Sequence, residues 1–522
     1  MTIVPNRIEG AAKHVAARDA QIPKEWKFDS SIIPHNPSTF YRHNLSEDEI
    51  HIVELDATAL ARAIAEGTYT SAQVTEAYLK SAAAAHAGTN CLAWFDVELA
   101  RQRARWLDQQ LMQSGKPVGP LHGVPMSVKD FLCVKGFTQS SGHLSSAGHT
   151  PQEDADIVAI FRAAGVVFFA KTTQPQSIMH LETSNFYGTT TNAYNRLLTC
   201  GGSSGGEGAL VGCHGSPIGI STDPTTKRVP RDGMLGVTAH SRICGSIGPV
   251  CHSVRDMDLF YKVLFEAQSW KHDIKLVPLG WRHVDTNGQG AGFDGWSGQG
   301  NTMRIGIIRD DGVVRPVAPV RRALDAVVGK LSARTDVELV EFPQLFSKEA
   351  WSITQQLYYT DGGRKLDEAL GDEPKLPLTE WITSKAKDLN RQEVDALVAR
   401  RNSMRQLYYD HFKSFRLDVI LSPAGPAPAQ PLETTKYWSY TSFWNLLDWP
   451  AAVFPTGLHV DPAVDEETYP NPNNEAEEHL FSTYSATIGQ GSPIGLQLIA
   501  PRWQDERLMA ALKKIDQVLP LA

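Results

Sequence analysis

The sequence predicts an α/β fold in which helices pack on the faces of a sheet. Amphipathic helical patterns dominate before residue 120, and one of them starts at a capping-box pair, Thr70 and Gln73. From Pro120 onward, short apolar strand patterns alternate with helical ones, which is typical of an α/β sheet. Prolines interrupt residues 1–50, so we expect an irregular arm there, followed by a helical N-terminal layer.

The remaining elements follow from hydrophobic periodicity. Helices are expected at 97–113, 155–164, 317–331, 391–415 and 505–518, and strands at 124–128, 166–170, 303–308, 418–421 and 494–499. A Gly-rich stretch at 287–300 is the expected flexible insertion. Because we find no internal repeat, we expect residues 51–522 to form one domain.

Composition and charge exclude several classes of function. Of the 522 residues, 42% are apolar and 21% charged, as in ordinary soluble proteins. The net charge of −8 provides no basic face, so nucleic acid is not an expected partner. No apolar run is long enough to span a bilayer and the N-terminus lacks a signal-peptide core, so we expect a cytoplasmic protein. The six cysteines form no C-x-x-C pair or zinc-type cluster, so no metal is expected.

A Gly/Ser-rich stretch at 201–208, GGSSGGEG, is the most informative segment. A flexible linker is one interpretation, although ordered apolar residues flank the stretch on its C-terminal side. The spacing Gly202-x-Ser204-x-Gly206 also fits the nucleophile elbow of α/β-hydrolases. That motif requires a strand before it and a later Asp and His. The preceding NRLLTC is a poor strand, and His459 and His479 have no marked context.

A second informative segment, PLHGVPMSVKD, ends in a lysine at the close of an apolar strand. Burial would lower the pKa of Lys129 from its ordinary value of about 10.4, and an uncharged amine can accept a proton. The alternative is a structural salt bridge between Lys129 and Asp130 or another acid.

Together these segments resemble the amidase-signature family. The family patterns P-L-x-G-[VI]-P-x-x-[VL]-K-D, K-T-N-x-P-Q and G-G-S-S-G-G-E correspond to PLHGVPMSVKD, KTTQPQSIM and GGSSGGEGALVG. Later matches are SIGPVCHSVRDMDL, DWPAAVFPTG and GSPIGLQLIAPRWQDERLMAAL. The resemblance runs from about residue 50 onward, and the fungal acetamidase and fatty-acid-amide-hydrolase branch is the most similar. It implies the amidase-signature fold, with a central mixed sheet flanked by helices.

The resemblance also implies the chemistry and the site residues. Lys129 matches the family's base, Ser203 the bridging serine of a Ser-Ser-Lys triad, and Met179 a wall of the acyl pocket. The implied reaction cleaves a carboxylic amide to an acid and an amine or ammonia. The implied partner is a small-molecule amide, no cofactor is needed, and a homodimer is one option for the assembly.

The chain departs from the family where the nucleophilic serine should stand, in T-D-x-G-G-S-x-R-x-P. After Thr222-Asp223 it reads PTTKRVP, without Gly-Gly-Ser. In one alignment a single residue is lost and Thr226 replaces the serine. In the other, PTTKRVPRDGM matches a later family segment, and roughly eighteen residues with the nucleophile and a core strand are lacking between Asp223 and Pro224. We favour the second alignment because it explains more residues without further gaps.

Two functions therefore remain open. One is an amide hydrolase that is impaired in this sequence because the nucleophile loop is missing. The other is a catalytically inactive binding or relic protein on the same fold. A tRNA-dependent amidotransferase subunit is a weaker third interpretation. It would need a basic surface to bind tRNA, and the net charge of −8 disfavours one.

Overall fold

A computed structural model of the chain describes residues 8–223, 243, 245–271, 273, 276–466, 468–469 and 471–519. The strands are β1 (Leu92–Phe95), β2 (Pro125–Lys129), β3 (Val167–Thr172), β4 (Ser184–Asn185), β5 (Gly188–Thr189), β6 (Ile218–Asp223), β7 (Ser246–Cys251), β8 (Gln289–Gly290), β9 (Phe293–Asp294), β10 (Met303–Ile307), β11 (Val337–Glu341), β12 (Val419–Pro423), β13 (Ala451–His459) and β14 (Pro493–Ile499).

The helices include every one predicted from periodicity. They are α1 (Ala12–Asp19), α2 (Glu47–Val53), α3 (Ala57–Ala65), α4 (Ser71–Thr89), α5 (Val97–Ser114), α6 (Asp156–Ala163), α7 (Gly205–Gly212), α8 (Val254–Glu266), α9 (Ala318–Ser332), α10 (Ser347–Tyr358), α11 (Arg364–Leu370), α12 (Pro377–Thr383), α13 (Arg391–Ser414), α14 (Ser439–Leu447), α15 (Pro462–Asp465), α16 (Glu475–Thr483), α17 (Ala486–Gly489) and α18 (Asp505–Asp516). None of these helices is long and apolar enough to cross a membrane.

Two five-stranded mixed sheets form the centre of the structure, which confirms the α/β prediction. The first sheet has the order β1-β3-β2-β6-β7, with β2 parallel to both its neighbours and β1 and β7 antiparallel at the edges. The second has the order β11-β10-β12-β14-β13, with β13 at one edge. Two short hairpins, β4-β5 and β8-β9, lie outside them.

The N-terminal helical layer covers one face of the first sheet. Buried residues of α2, α3 and α4 share a hydrophobic core with β2 and β6, and α5 packs against β3. The described part of the expected arm, residues 8–50, contains α1, three short 3₁₀ segments and the start of α2. The buried Arg18 guanidinium secures α1 by donating to Asn90 Oδ1 and to the carbonyl of Leu92, at 3.0 and 3.1 Å.

The Gly-rich insertion is packed against the hydrophobic core beside the second sheet, which includes residues of β10, β12 and β14. It forms the β8-β9 hairpin, and the side chain of Trp296 is buried within that core. The indole Nε1 of Trp296 donates to the carbonyl of Thr286 at 3.0 Å, and the Arg507 guanidinium lies 5.0 Å from the centre of the indole ring. These contacts give the loop a defined conformation that its composition alone does not predict.

The capping box at the start of α4 is confirmed. The hydroxyl of Thr70 accepts from the Gln73 backbone N–H at 3.1 Å, and the Gln73 side chain accepts from the Thr70 N–H at 2.9 Å. We expect Thr70→Ala to lower the free energy of unfolding by about 1 kcal/mol, because the Gln73 backbone N–H at the helix end loses its acceptor, the Thr70 hydroxyl. Denaturant titration measures this, with Thr68→Ala, an exposed residue outside the cap, as the control. Equal effects of the two substitutions would contradict the role of the cap.

Candidate active site

The amine of Lys129 lies at the centre of the candidate site. Lys129 is the last residue of β2, in the middle of the first sheet, and its side chain is fully buried. Its Nζ donates to the Ser203 hydroxyl at 2.7 Å and to the Thr222 hydroxyl at 2.8 Å. The structure thus brings together the two residues, Lys129 and Ser203, that the sequence predicts as base and bridging serine.

Close packing fixes the Gly/Ser-rich segment beside β6. The Ser204 hydroxyl donates to the carbonyl of Thr222 at 3.2 Å and accepts from its N–H at 3.1 Å. A Cβ at Gly206 would lie 2.5 Å from the Thr173 backbone nitrogen, and one at Gly202 would lie 2.4 Å from the His180 carbonyl oxygen. Only glycine fits at these two positions, so the glycines allow the hydroxyl of Ser203 to reach the amine.

The two other interpretations of this segment lose their support. The segment leads directly into α7, so it is an ordered helix start and not a linker. Residues 190–201, all of them described, form only isolated bridges, at Thr191, Leu198 and Thr199, where a nucleophile elbow requires a strand. His479 is bonded to the Thr434 carbonyl oxygen at 2.7 Å, so it is not directed at Ser204.

A buried carboxyl group, Glu207, lies beside the amine and was not singled out in the sequence. It accepts from the Ser127 and Thr172 hydroxyls, at 2.6 and 2.8 Å. Burial raises the pKa of Glu207 to about 7, although these two hydrogen bonds and the charge of Lys129 oppose the shift. With this pKa, Glu207 is only partly ionised near neutral pH, so it offsets a charge on Lys129 only in part.

The acid next to Lys129 in the sequence, Asp130, pairs with a second buried lysine. Asp130 Oδ1 lies 3.4 Å from the Nζ of Lys171, a fully buried residue of β3. The carboxylate of Asp130 also accepts from the Ser140 N–H and hydroxyl. Burial lowers the pKa of Lys171, and the charge of Asp130 opposes that shift. Asp130 therefore pairs with Lys171, while the adjacent Lys129 is hydrogen-bonded to hydroxyl groups.

Met179 lies in an aromatic cluster next to the Gly/Ser-rich segment. It packs with Tyr359, Ile382 and Trp438. The Tyr359 hydroxyl donates to the carbonyl of Ser177 at 3.1 Å, which ties this cluster to the segment before Met179. The predicted role of Met179 as a wall of an acyl pocket stays a prediction.

The buried side chain of His180, next to Met179 in the sequence, predicts that the folded chain loses stability in acid. Burial lowers the pKa of His180 to about 3, and its Nδ1 accepts from the Glu182 N–H at 3.3 Å. Because an unfolded histidine titrates near 6.5, the unfolded chain binds more protons below that pH, and stability falls between about pH 6.5 and 3. His86 and His252, whose pKa values burial lowers to about 4, act in the same direction.

We expect His180→Asn to reduce the slope of unfolding free energy against pH in this window. The Asn side-chain oxygen can replace Nδ1 as acceptor without titrating. Unfolding titrations across the pH range measure the slope, with the exposed His149 replaced by Asn as the control. A slope unchanged by His180→Asn would contradict the assignment.

Comparison with known proteins identifies the family. The Amidase family model matches residues 73–223 and 224–509. This chain belongs to the amidase-signature family. A Schizosaccharomyces pombe relative whose name marks it as an amidase is 40% identical, over 98% of both proteins. An acetamidase of Aspergillus oryzae is 31% identical, also over 98% of both. This family member is thus similar to amide hydrolases over nearly its whole length.

The solved structures agree with this assignment. A fatty acid amide hydrolase superposes with a TM-score of 0.91 at 31% identity, covering 98% of this chain and 94% of that one. The amidase-signature fold predicted from the sequence is therefore confirmed, and the chain is an amidase-family hydrolase.

One predicted site residue of this amidase-family chain, Thr226, lies outside the described residues. Besides Glu207, sequence reasoning missed Thr222, whose hydroxyl accepts a hydrogen bond from the amine of Lys129. Its position just before the departure from the family pattern was the only signal available. Side chains alternate between the two faces of β6, and the sequence does not reveal which face is directed toward Lys129.

Proposed function

We propose that this chain has the catalytic base and bridging serine of an amide hydrolase with a Ser-Ser-Lys mechanism. The observation that carries the proposal is the 2.7 Å hydrogen bond between the fully buried amine of Lys129 and the hydroxyl of Ser203. An amine removed from water favours its uncharged form, which can accept a proton through a neighbouring hydroxyl.

In the proposed reaction, a nucleophilic serine hydroxyl attacks the carbonyl carbon of the amide. Its proton passes to the Ser203 oxygen while the Ser203 proton passes to Lys129 Nζ, so the amine becomes an ammonium. The same path run in reverse protonates the leaving nitrogen, and an acyl-enzyme remains. Water then repeats the sequence, releasing the carboxylic acid and restoring the serine.

We further propose that the nucleophile belongs to a segment that this sequence lacks between Asp223 and Pro224. Support comes from the family match, which divides at this same junction. The alignments to three fungal relatives extend over 540, 543 and 551 positions, against 522 residues in this chain. No Gly-Gly-Ser follows Asp223 to supply an oxyanion hole and a nucleophile.

The chain as written is therefore expected to show little or no turnover of acetamide, aryl anilides or fatty amides. Loss of a catalytic serine costs on the order of a million-fold in kcat. Product formation with each substrate class, compared between the chain and its Thr226→Ala variant, is the measurement. Robust turnover that Thr226→Ala abolishes would support the one-residue alignment and overturn the proposed deletion. Genomic sequence across the codons for Asp223 and Pro224 shows independently whether a Gly-Gly-Ser segment is encoded there.

The missing nucleophile also favours a second candidate function, a protein that binds amides without cleaving them. In this candidate function, the proposed contact surface for the amide is the apolar cluster around Met179. Thermal stabilisation by a fatty amide, with no product after prolonged incubation, distinguishes this candidate from the hydrolase.

A further inference from the structure

The carboxyl group of Glu207 joins the Gly/Ser-rich segment to the strand that carries Lys129. Glu207 lies in the first turn of α7, which begins two residues after Ser203. Its oxygens accept from the hydroxyls of Ser127 on β2 and Thr172 on β3, at 2.6 and 2.8 Å. The start of α7 is thus tied to two strands of the first sheet, so the chain that enters α7 is fixed relative to both.

Strand register places this carboxyl group on the same face of the sheet as the side chain of Lys129. Ser127 precedes Lys129 by two positions on β2, and side chains two apart on a strand lie on one face. Thr172 is the register partner of Lys129 in the parallel ladder of β2 and β3. The carboxyl group is therefore bonded to two hydroxyls that flank Lys129 on that face.

A glycine on β6 leaves room for the carboxyl group. Gly219 is the register partner of Ser127, and a Cβ at Gly219 would overlap the Oε2 atom of Glu207. Glycine allows this close approach because it has no side chain. Three neighbouring strands, β2, β3 and β6, therefore position Glu207.

Two titratable groups on the described elements around Glu207 interact with its charge. They are the amine of Lys129 and the thiol of Cys91, which precedes β1. Burial raises the pKa of the Cys91 thiol to about 12, so the thiol stays uncharged near neutral pH. Lys129 is therefore the charged group on which Glu207 acts.

The other titratable groups on the described elements packed against α7 have partners elsewhere or stay uncharged. Asp130 and Lys171 alternate to the opposite face of the sheet, where they pair with each other. On α4, the Nδ1 atom of His86 accepts from the Leu92 N–H at 3.1 Å. On β7, burial raises the pKa of the Cys251 thiol, which therefore remains protonated.

We propose that Glu207 is a positioning residue for the Lys129–Ser203 pair: it holds Ser203 against the sheet, and its carboxylate stabilises the ammonium form of Lys129. The inference rests on the proposed function, in which Lys129 is the base. Full burial lowers the pKa of a lysine by up to about 3–5 units, which leaves a weak base. A nearby carboxylate opposes that shift by about 1–3 units and brings the base toward neutral pH, where general bases are most effective.

The test measures the protonation of Lys129 by NMR in the unsubstituted chain labelled with [ε-¹³C]lysine. The ε-carbon resonance is followed as the pH is raised, and Lys129→Met identifies it. We expect Glu207→Gln to lower the pH midpoint of Lys129 by at least about 1 unit, because the amide has no charge to favour the ammonium. The Gln side chain can still bond to both hydroxyls, since it donates as well as accepts.

Two further variants separate charge from shape. Glu207→Asp keeps the charge but is too short to reach both hydroxyls, so it should move the midpoint less than Glu207→Gln does. Asp256→Asn is the matched control. It replaces a buried carboxyl group that accepts from the Thr58 hydroxyl at 2.6 Å and whose pKa burial raises to about 6. It should leave the midpoint of Lys129 unchanged.

A measurement on the unsubstituted chain does not depend on any variant folding. The Lys129 resonance should shift in a step that coincides with the titration of Glu207, followed through the carboxyl carbon of labelled glutamate. The inference is overturned by the absence of that step, by an unchanged midpoint in Glu207→Gln, by a larger shift in Glu207→Asp, or by an equal shift in Asp256→Asn.

Failure of the proposed function has a different signature. A Lys129 midpoint at its ordinary value of about 10.4 in the unsubstituted chain would contradict the proposed base. A lower midpoint in Glu207→Gln would still support the action of the carboxylate on the amine. The two results are independent because neither requires substrate or turnover.

Discussion

Inserting, between Asp223 and Pro224, the segment that the Schizosaccharomyces pombe relative has at this position is expected, under the proposed deletion, to raise amide hydrolysis by at least about 10⁴-fold over the chain as written. Lys129 and Ser203, the proposed base and bridging serine, are already hydrogen-bonded, so under this proposal the insert has to supply only the nucleophile and its oxyanion donors. Nucleophile loss costs on the order of a million-fold, and an imperfectly seated insert recovers part of that. Initial rates on acetamide and an aryl anilide are the measurement.

Within that restored chain, Lys129→Ala should lower kcat by about 10²- to 10⁴-fold, the usual contribution of a general base. Ser203→Ala should act in the same direction, because it removes the link between nucleophile and amine. Lys80→Ala, which removes an ammonium ion-paired with Glu49 on α2, is the matched control and should leave kcat unchanged. If the restored chain hydrolyses amides equally well without Lys129, the proposed proton path is wrong.

The second large effect concerns stability. Asp130→Ala is expected to lower the free energy of unfolding by about 3–5 kcal/mol, because it leaves the buried ammonium of Lys171 without its acid. The free energy is obtained from denaturant unfolding, and Tm gives an independent check. Combining Asp130→Leu with Lys171→Met should recover much of the loss, since the buried charge is then removed altogether.

The recovery should be incomplete, because the Ser140 N–H and hydroxyl lose the carboxylate that accepts from them. Glu66→Ala is the control. It breaks the exposed ion pair with Arg62 and should cost no more than about 0.5 kcal/mol. If Asp130→Ala and Glu66→Ala lowered the free energy of unfolding by similar amounts, the Asp130–Lys171 pair would contribute no more to stability than an exposed ion pair.

Short-range signals predicted most of the elements correctly. The capping box at Thr70 and the apolar strand ending at Lys129 are patterns within a few residues, and both are confirmed. The prolines of the N-terminal arm predict irregular structure but not how the arm is held. Arg18, which attaches α1 to the rest of the fold, donates to residues more than seventy positions away. Such distant contacts leave no periodic signature in the chain.

By itself, the sequence determined the family, the positions of Lys129 and Ser203, and the absence of Gly-Gly-Ser after Asp223. Only the tertiary structure decided that Asp130 pairs with Lys171 and that the Thr222 hydroxyl is hydrogen-bonded to the amine of Lys129. The physical reason is that these contacts depend on strand order and register. The neighbouring strands β2 and β6 bring Lys129 and Thr222 together although they are 93 positions apart, and local pattern does not encode which strands become neighbours.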